Sequence, residues 1–160
     1  MSMYGRFLRE VASAGLPSVP GSAEIITIAQ LASLPEAAQR YLRFMGVVGR
    51  PQDWSFRFAF TRRFRSKPPH PWMRFETWQY NHRPSLARIF DIRIKFLVPV
   101  IGRDTYIQGR GRMLIGLLDV FRIEGGTGEK YDIGKLVTYL NDAVLIAPSM
   151  LLVPEISWVL

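Results

Sequence analysis

Few side chains in this chain have the types and spacing that chemistry needs, and those few are scattered. Glu76 shares a strand-like stretch with Trp78 and Tyr80, and Asp104 lies close to Tyr106. Burial on an aromatic face can tune a carboxyl into a general acid, yet Arg74, Arg110 and Arg112 stand near enough in sequence to make ordinary ion pairs. His70 and His82 fall in separate loops, and neither has a second histidine at helical or strand spacing. A metal site needs several ligands converging on one point, so none is expected. The chain has no cysteine, which removes disulfides, thiolate metal sites and cysteine nucleophiles and fits a reducing compartment.

Glycine-rich segments look superficially like phosphate cradles. Glu124 to Lys130, EGGTGEK, lacks the phosphate-loop spacing, and Tyr131 stands where a serine or threonine would follow the lysine. Gly109-x-Gly111 lacks the third glycine of a dinucleotide fingerprint and lies within a strand pattern rather than opening a helix. No Gly-x-Ser-x-Gly elbow occurs. The expectation is a domain that is not an enzyme, with no catalytic residue, no metal and no cofactor.

The formal charge is +8 and basic side chains are mostly arginine. Such a balance favours phosphates, in nucleic acid or on an anionic membrane, although an arginine-rich chain also follows from genome base composition. A nucleic-acid surface would use Arg57, Arg62, Arg63, Arg65 and Lys67. The aromatic row from Trp54 to Phe60 points away from Arg57, so basic and stacking groups do not interleave on one surface, and nucleic acid is not expected. The first residues run into Arg6, Arg9 and Glu10 before any signal-peptide core develops. The longest nearly apolar run, Ala143 to Pro154, is too short for a bilayer. A cytoplasmic protein, at most peripheral to a membrane, is expected.

What must position any site is a sheet. Trp54, Phe56, Phe58, Phe60 and Phe64 alternate with Ser55, Arg57, Ala59, Thr61 and Arg63, the period of a strand with one aromatic face and one wet face. Further strands are expected over about Met73–Tyr80 and Leu86–Phe96, the latter turning Phe90, Ile92 and Ile94 inward opposite Asp91 and Arg93. One long strand is expected over about Asp104–Ile123, with Gly109 and Gly111 on one face, where glycine permits coiling or close approach. Gly125 to Gly128 reads as a turn.

Helices frame this sheet. Tyr4, Phe7, Leu8 and Val11 recur at helical spacing, giving a short amphipathic lead-in that docks on the domain or touches a membrane surface. Leu16 to Ser22 reads as linker. Ser33 and Glu36 have capping-box spacing ahead of an Ala38, Tyr41, Leu42 and Met45 stripe that Gly46 ends. Asp132 is expected to cap a helix that buries Ile133, Leu136, Val137, Leu140 and Val144 and stops at Pro148. Ile156, Trp158 and Leu160 start another alternating pattern. Residues 1–24 therefore read as lead-in and linker, and 25–160 as one α+β domain: a curved antiparallel sheet of long strands against a few amphipathic helices, an incomplete half-barrel. A strand pattern at the terminus implies truncation, or self-association through that edge.

The phenylalanine row carries an energetic demand. Burying one such ring is worth roughly 1.5–3 kcal/mol, so four come to roughly 6–12, comparable to a domain's net stability of about 5–15 kcal/mol. Something must cover it: the helices around Tyr41 and Leu140, or an apolar ligand.

Residues 30 to 160 resemble the N-terminal part of a bacterial family of uncharacterised proteins, through LPEAAQRYL at Leu34–Leu42, GVVGRP at Gly46–Pro51, YIQGRGRML at Tyr106–Leu114 and LVTYLNDAVLIAPSMLL at Leu136–Leu152. The resemblance implies further strands after Trp158 and supplies no activity. At fold level alone it is similar to half-barrel lipoprotein carriers, from which this chain departs in lacking a signal peptide and a lipidated cysteine. The leading expectation is an apolar or lipid-like ligand held on a wall of Trp54, Phe56, Phe58, Phe60, Phe90, Ile92 and Ile94. The alternatives are a solid-cored structural or interaction domain and, third, an enzyme of unknown type.

Overall fold

Alternation of ring and polar side chains builds β1 (Ser55–Phe64), and the same period continues through β2 (Met73–His82) and β3 (Ala87–Lys95). The computed structural model of the chain describes residues 2–16, 24–118 and 121–159. The expected long fourth strand is instead a hairpin and a further strand: β4 (Val100–Ile107), β5 (Arg110–Leu117) and β6 (Phe121–Thr127). Gln108 and Gly109 break it, both at positive φ (52° and 76°), which is the backbone of a two-residue hairpin turn whose twist matches the flanking strands. Gly109 is thus a turn residue, and Gly125 and Gly126 lie in β6 rather than in a turn.

The described strands form one curved, open antiparallel sheet in the order β1-β2-β3-β4-β5-β6. Register sorts its side chains. Phe58 pairs with Gln79 and Gln79 with Phe90; Phe60 pairs with Thr77 and Thr77 with Ile92. These residues share one face with Phe56, Phe64, Phe75 and Ile94. Trp78, Tyr80, Ile89, Asp91 and Arg103 share the other.

Each face receives a different helix. Helix α1 (Met3–Ser13) packs on the Trp78 face over β2 and β3, burying Phe7 and Val11 with Tyr80, Ala87 and Ile89 and leaving Tyr4 and Leu8 exposed. The expected linker falls mostly on residues 17–23, outside the described residues. Helix α4 (Glu129–Ile146) crosses the phenylalanine face over β4, β5 and β6 and is followed by a 3-10 turn, Pro148–Leu151. The short α2 (Ile28–Leu31) and α3 (Glu36–Phe44) form a satellite core of Ile26, Leu31, Leu42 and Val47.

Several local expectations give way. The capping box belongs to Thr27 and Gln30 at the start of α2, whereas the N-cap of α3 is Pro35, with no side-chain cap. Asp132 lies inside the first turn of α4; its carboxylate accepts the Gly111 N–H at 2.7 Å and pairs with Arg110 at 3.3 Å, tying helix to hairpin. The buried residues of α4 are Tyr139 and Ala143, while Ile133, Val137 and Val144 are exposed. The sheet positions beneath α4 explain this, because Asp104, Gln79 and Arg88 select Lys135 and Asp142 as partners. Ile156 and Trp158 form no strand and pack as partly buried side chains against the cluster around Tyr139.

Candidate functional site

The rings of the phenylalanine face run as a continuous ladder. Phe56 and Phe58 stack at 6.0 Å and Phe58 and Phe60 at 5.6 Å, while Phe75 meets Phe60 edge-on at 5.8 Å and Phe64 at 5.7 Å. Offset and edge-on contacts at these spacings are the favoured arrangements of aromatic quadrupoles. Phe56 joins the core around Tyr139, but Phe58, Phe60, Phe64, Phe75, Phe90, Ile92 and Ile94 belong to none of the three buried clusters. They are half-buried, and Phe60 keeps 40% of its surface exposed.

Of the two expected covers, one lies off the sheet and the other covers only one end of the face. The Tyr41 hydroxyl donates to the Val144 carbonyl at 2.5 Å, so α3 docks on α4 rather than on the sheet. Helix α4 occupies the end of the face near Gly111, where a Cβ would come within 2.1 Å of the Tyr131 carbonyl oxygen. Gly111 is thus a place where glycine is required, for close approach rather than for coiling.

Trp54 leaves the wall in which the sequence put it. It precedes β1, its ring meets His82 edge-on at 5.5 Å, and it lines a pocket of about 320 Å³ beside Leu8, Val11 and Tyr80 on the opposite face. Phe56, Phe58, Phe60, Phe90, Ile92 and Ile94 do share a face, with β2 between the two rows.

That intervening strand is polar at the α4 end. Gln79 donates to Asn81 and to Asp142, both at 2.7 Å, and Arg88 Nε donates to Asp142 at 2.6 Å. Arg88 also lies over the Phe90 ring at 4.9 Å. Arg88 Nη1, Asn81 Nδ2 and the Tyr139 hydroxyl are buried with no hydrogen-bond partner, and burial raises the Tyr139 phenol well above its ordinary value. Lys135 pairs with Asp104 at 2.8 Å. The face therefore grades from a charged, helix-covered end to an apolar end.

The carboxylates weighed as acids are ion-paired: Glu76 with Lys95, and Asp104 with Lys135. His70 contacts Ser66 and His82 contacts Ser85, and burial followed by the Arg83 charge lowers the His82 pKa. Among the described residues no group of three or more His, Asp or Glu could hold a metal ion. No described helix is long and apolar enough to cross a membrane.

One charged site escaped the sequence reading. Asp91, assigned there to a wet face, is fully buried beneath α1 with neither carboxylate oxygen hydrogen-bonded. Arg103 Nε stands 3.5 Å from it and 3.9 Å from Glu10 of α1, beside a cavity of about 80 Å³ lined also by Thr105, Arg112 and Leu114. Desolvation pushes Asp91 up to about 6 despite the opposing Arg103 charge. The signal was present: the apolar stripe of the lead-in helix needed a surface, and Trp78, Tyr80 and Ile89 flank Asp91 on the only other face.

The model of a family of unknown function, DUF6544, matches residues 24–159. No curated protein and no solved structure matches the chain.

Proposed function

The chain belongs to the family of unknown function DUF6544, and from that premise we propose that it is a non-enzymatic domain holding an apolar or lipid-like ligand on Phe58, Phe60, Phe75, Ile92 and Ile94. The observation that carries this reading is the position of those side chains, on a sheet face yet outside every buried cluster. Rings in a ladder are already ordered, so a ligand laid over them gains contact area at little cost in side-chain entropy. Arg62 shares the face, opposite Phe75 across the β1–β2 ladder, and its guanidinium donates to the neighbouring Thr61 carbonyl at 3.0 Å. It supplies a positive charge for an anionic headgroup at the apolar end.

Native mass spectrometry of protein purified from cells, combined with lipid extraction, tests the reading. A stoichiometric co-purifying lipid is expected, reduced in Phe58→Ser/Phe60→Ser. A clean apo mass, together with no uptake of a fluorescent fatty acid, would overturn it. A second reading, a ligand-free interaction domain, draws on the β1 edge: its ten residues hydrogen-bond to β2 on one side only. Concentration-dependent dimerisation without bound lipid would favour that instead.

A further inference from the structure

The antiparallel register brings three connections to one end of the sheet, opposite the hairpin turn at Gly109. They follow the paired ends Phe64–Met73, Ile94–Val100 and Leu117–Phe121. All three display large apolar side chains to solvent. Trp72 is 60% exposed, Leu97 93% and Phe121 66%, with Phe96 and Leu118 also more than half exposed. The Leu118 N–H donates to the Pro99 carbonyl at 3.0 Å, so two of the connections are tied together at their bases. Tyr4 of α1 is exposed at the same end, lining with Pro99 and Leu118 a pocket of about 390 Å³.

Charge at this end is basic. The first two connections, residues 65–72 and 96–99, contain Arg65, Lys67 and His70 and no acid, while the sequence of the third contains one, Asp119. Arg62, Arg63 and Arg74 stand exposed on the adjoining strand ends, and Glu76 is held by Lys95. The Arg65 guanidinium lies 5.2 Å from the Trp72 ring centroid, so an aromatic anchor and a cation are presented together. Tryptophan and phenylalanine at the tip with lysine and arginine behind is the pattern that inserts rings among headgroups while cations meet anionic lipid. A protein partner would anchor in the pocket beside Pro99 and Leu118, whereas Trp72, Phe96 and Leu97 stand outside its lining.

We propose that this end of the sheet is a docking surface for an anionic membrane, with Trp72, Phe96, Leu97 and Leu118 entering the headgroup layer and Arg65 and Lys67 contacting phosphates. The open phenylalanine face ends at the same connections, so a docked domain presents its apolar strip to the bilayer. The proposal does not rest on ligand uptake: a domain that carries no lipid can still dock.

The test is co-sedimentation of the chain with vesicles of phosphatidylcholine and phosphatidylserine. Binding is expected, weaker on phosphatidylcholine alone and weaker in high salt. Leu97→Ser and Arg65→Glu/Lys67→Glu should each lower the partition coefficient roughly tenfold or more. Val137→Glu, an exposed site on α4 at 49% exposure, should leave it unchanged. Because these positions are exposed, circular dichroism should report the same fold in every variant. No binding to either vesicle overturns the proposal. So does equal binding by the loop variants, loss of binding in Val137→Glu, or self-association through the loops in place of vesicle binding.

Discussion

Replacing Asp91 by asparagine isolates the energetic consequence of a carboxylate sealed beneath a helix. Asp91 has a raised pKa, about 6 against 3.8 for the unperturbed group, chiefly through desolvation. A folded-state value above the unfolded one means that the fold prefers the protonated carboxyl. Its contribution to stability is then fully present below pH 3.8 and is lost as pH rises through about 6. A gap of roughly two units corresponds to about 3 kcal/mol, an order-of-magnitude figure. Wild type should therefore lose about that much relative to Asp91→Asn between roughly pH 4 and pH 7.5. The variant loses no hydrogen bond, since neither oxygen makes one, and Arg103 keeps Glu10 as a counter-charge. Any penalty for burying an unpaired amide shifts the whole difference curve without changing its slope. His82 works in the opposite sense: its lowered pKa contributes stability at high pH that is lost on acidification, and it cancels in the difference. Urea unfolding of both proteins across this range gives the difference directly. Parallel curves, with a change below about 0.5 kcal/mol, or a difference of the opposite sign, would refute the reasoning.

Phe7→Ala should cost about 3–5 kcal/mol, because Phe7 is fully buried in the core beneath α1. Phe60→Ala should cost nearer about 1 kcal/mol, since that ring is 40% exposed; equal losses in urea unfolding would show that the phenylalanine face is ordinary core. Gly111→Ala drives a Cβ into the Tyr131 carbonyl and should cost about 3 kcal/mol, read as a fall in melting temperature. Gly109→Asn, in an open turn at φ +76°, should stay within about 0.5 kcal/mol of wild type. Thr27→Ala removes the capping box of α2 and should lower stability by about 1 kcal/mol.

Much of the architecture was legible because side-chain periods are local. The alternation of Phe56, Phe58 and Phe60 with Arg57 and Ala59 could only be a strand with one aromatic face, and β1 to β3 follow the expected spans closely. The stripe around Leu42 marked α3, and Gly46, at φ +68°, ends it as expected. The family resemblance was equally legible, since it rests on runs of residues that need no partner to be read. Less legible were places where a local pattern permits two structures. Tyr106 to Leu114 alternates well enough for one long strand, and only the hairpin geometry at Gln108 and Gly109 divides it.

Sequence alone determined the rows of the candidate site: alternation put Phe58 with Phe60, and Ile92 with Ile94, on like-facing positions of their own strands. Which side each helix would cover could not be read there, because a helix's apolar stripe states that it needs a surface without saying which. Tertiary packing decided that α1 lies over Asp91 and α4 over Arg88 and Gln79, and so raised the pKa of one carboxylate and paired another. It also turned Trp54 to the opposite face and left the middle of the phenylalanine row outside the core. Pattern is set by neighbours along the chain, whereas burial is set by residues far apart in sequence that only the folded sheet brings together.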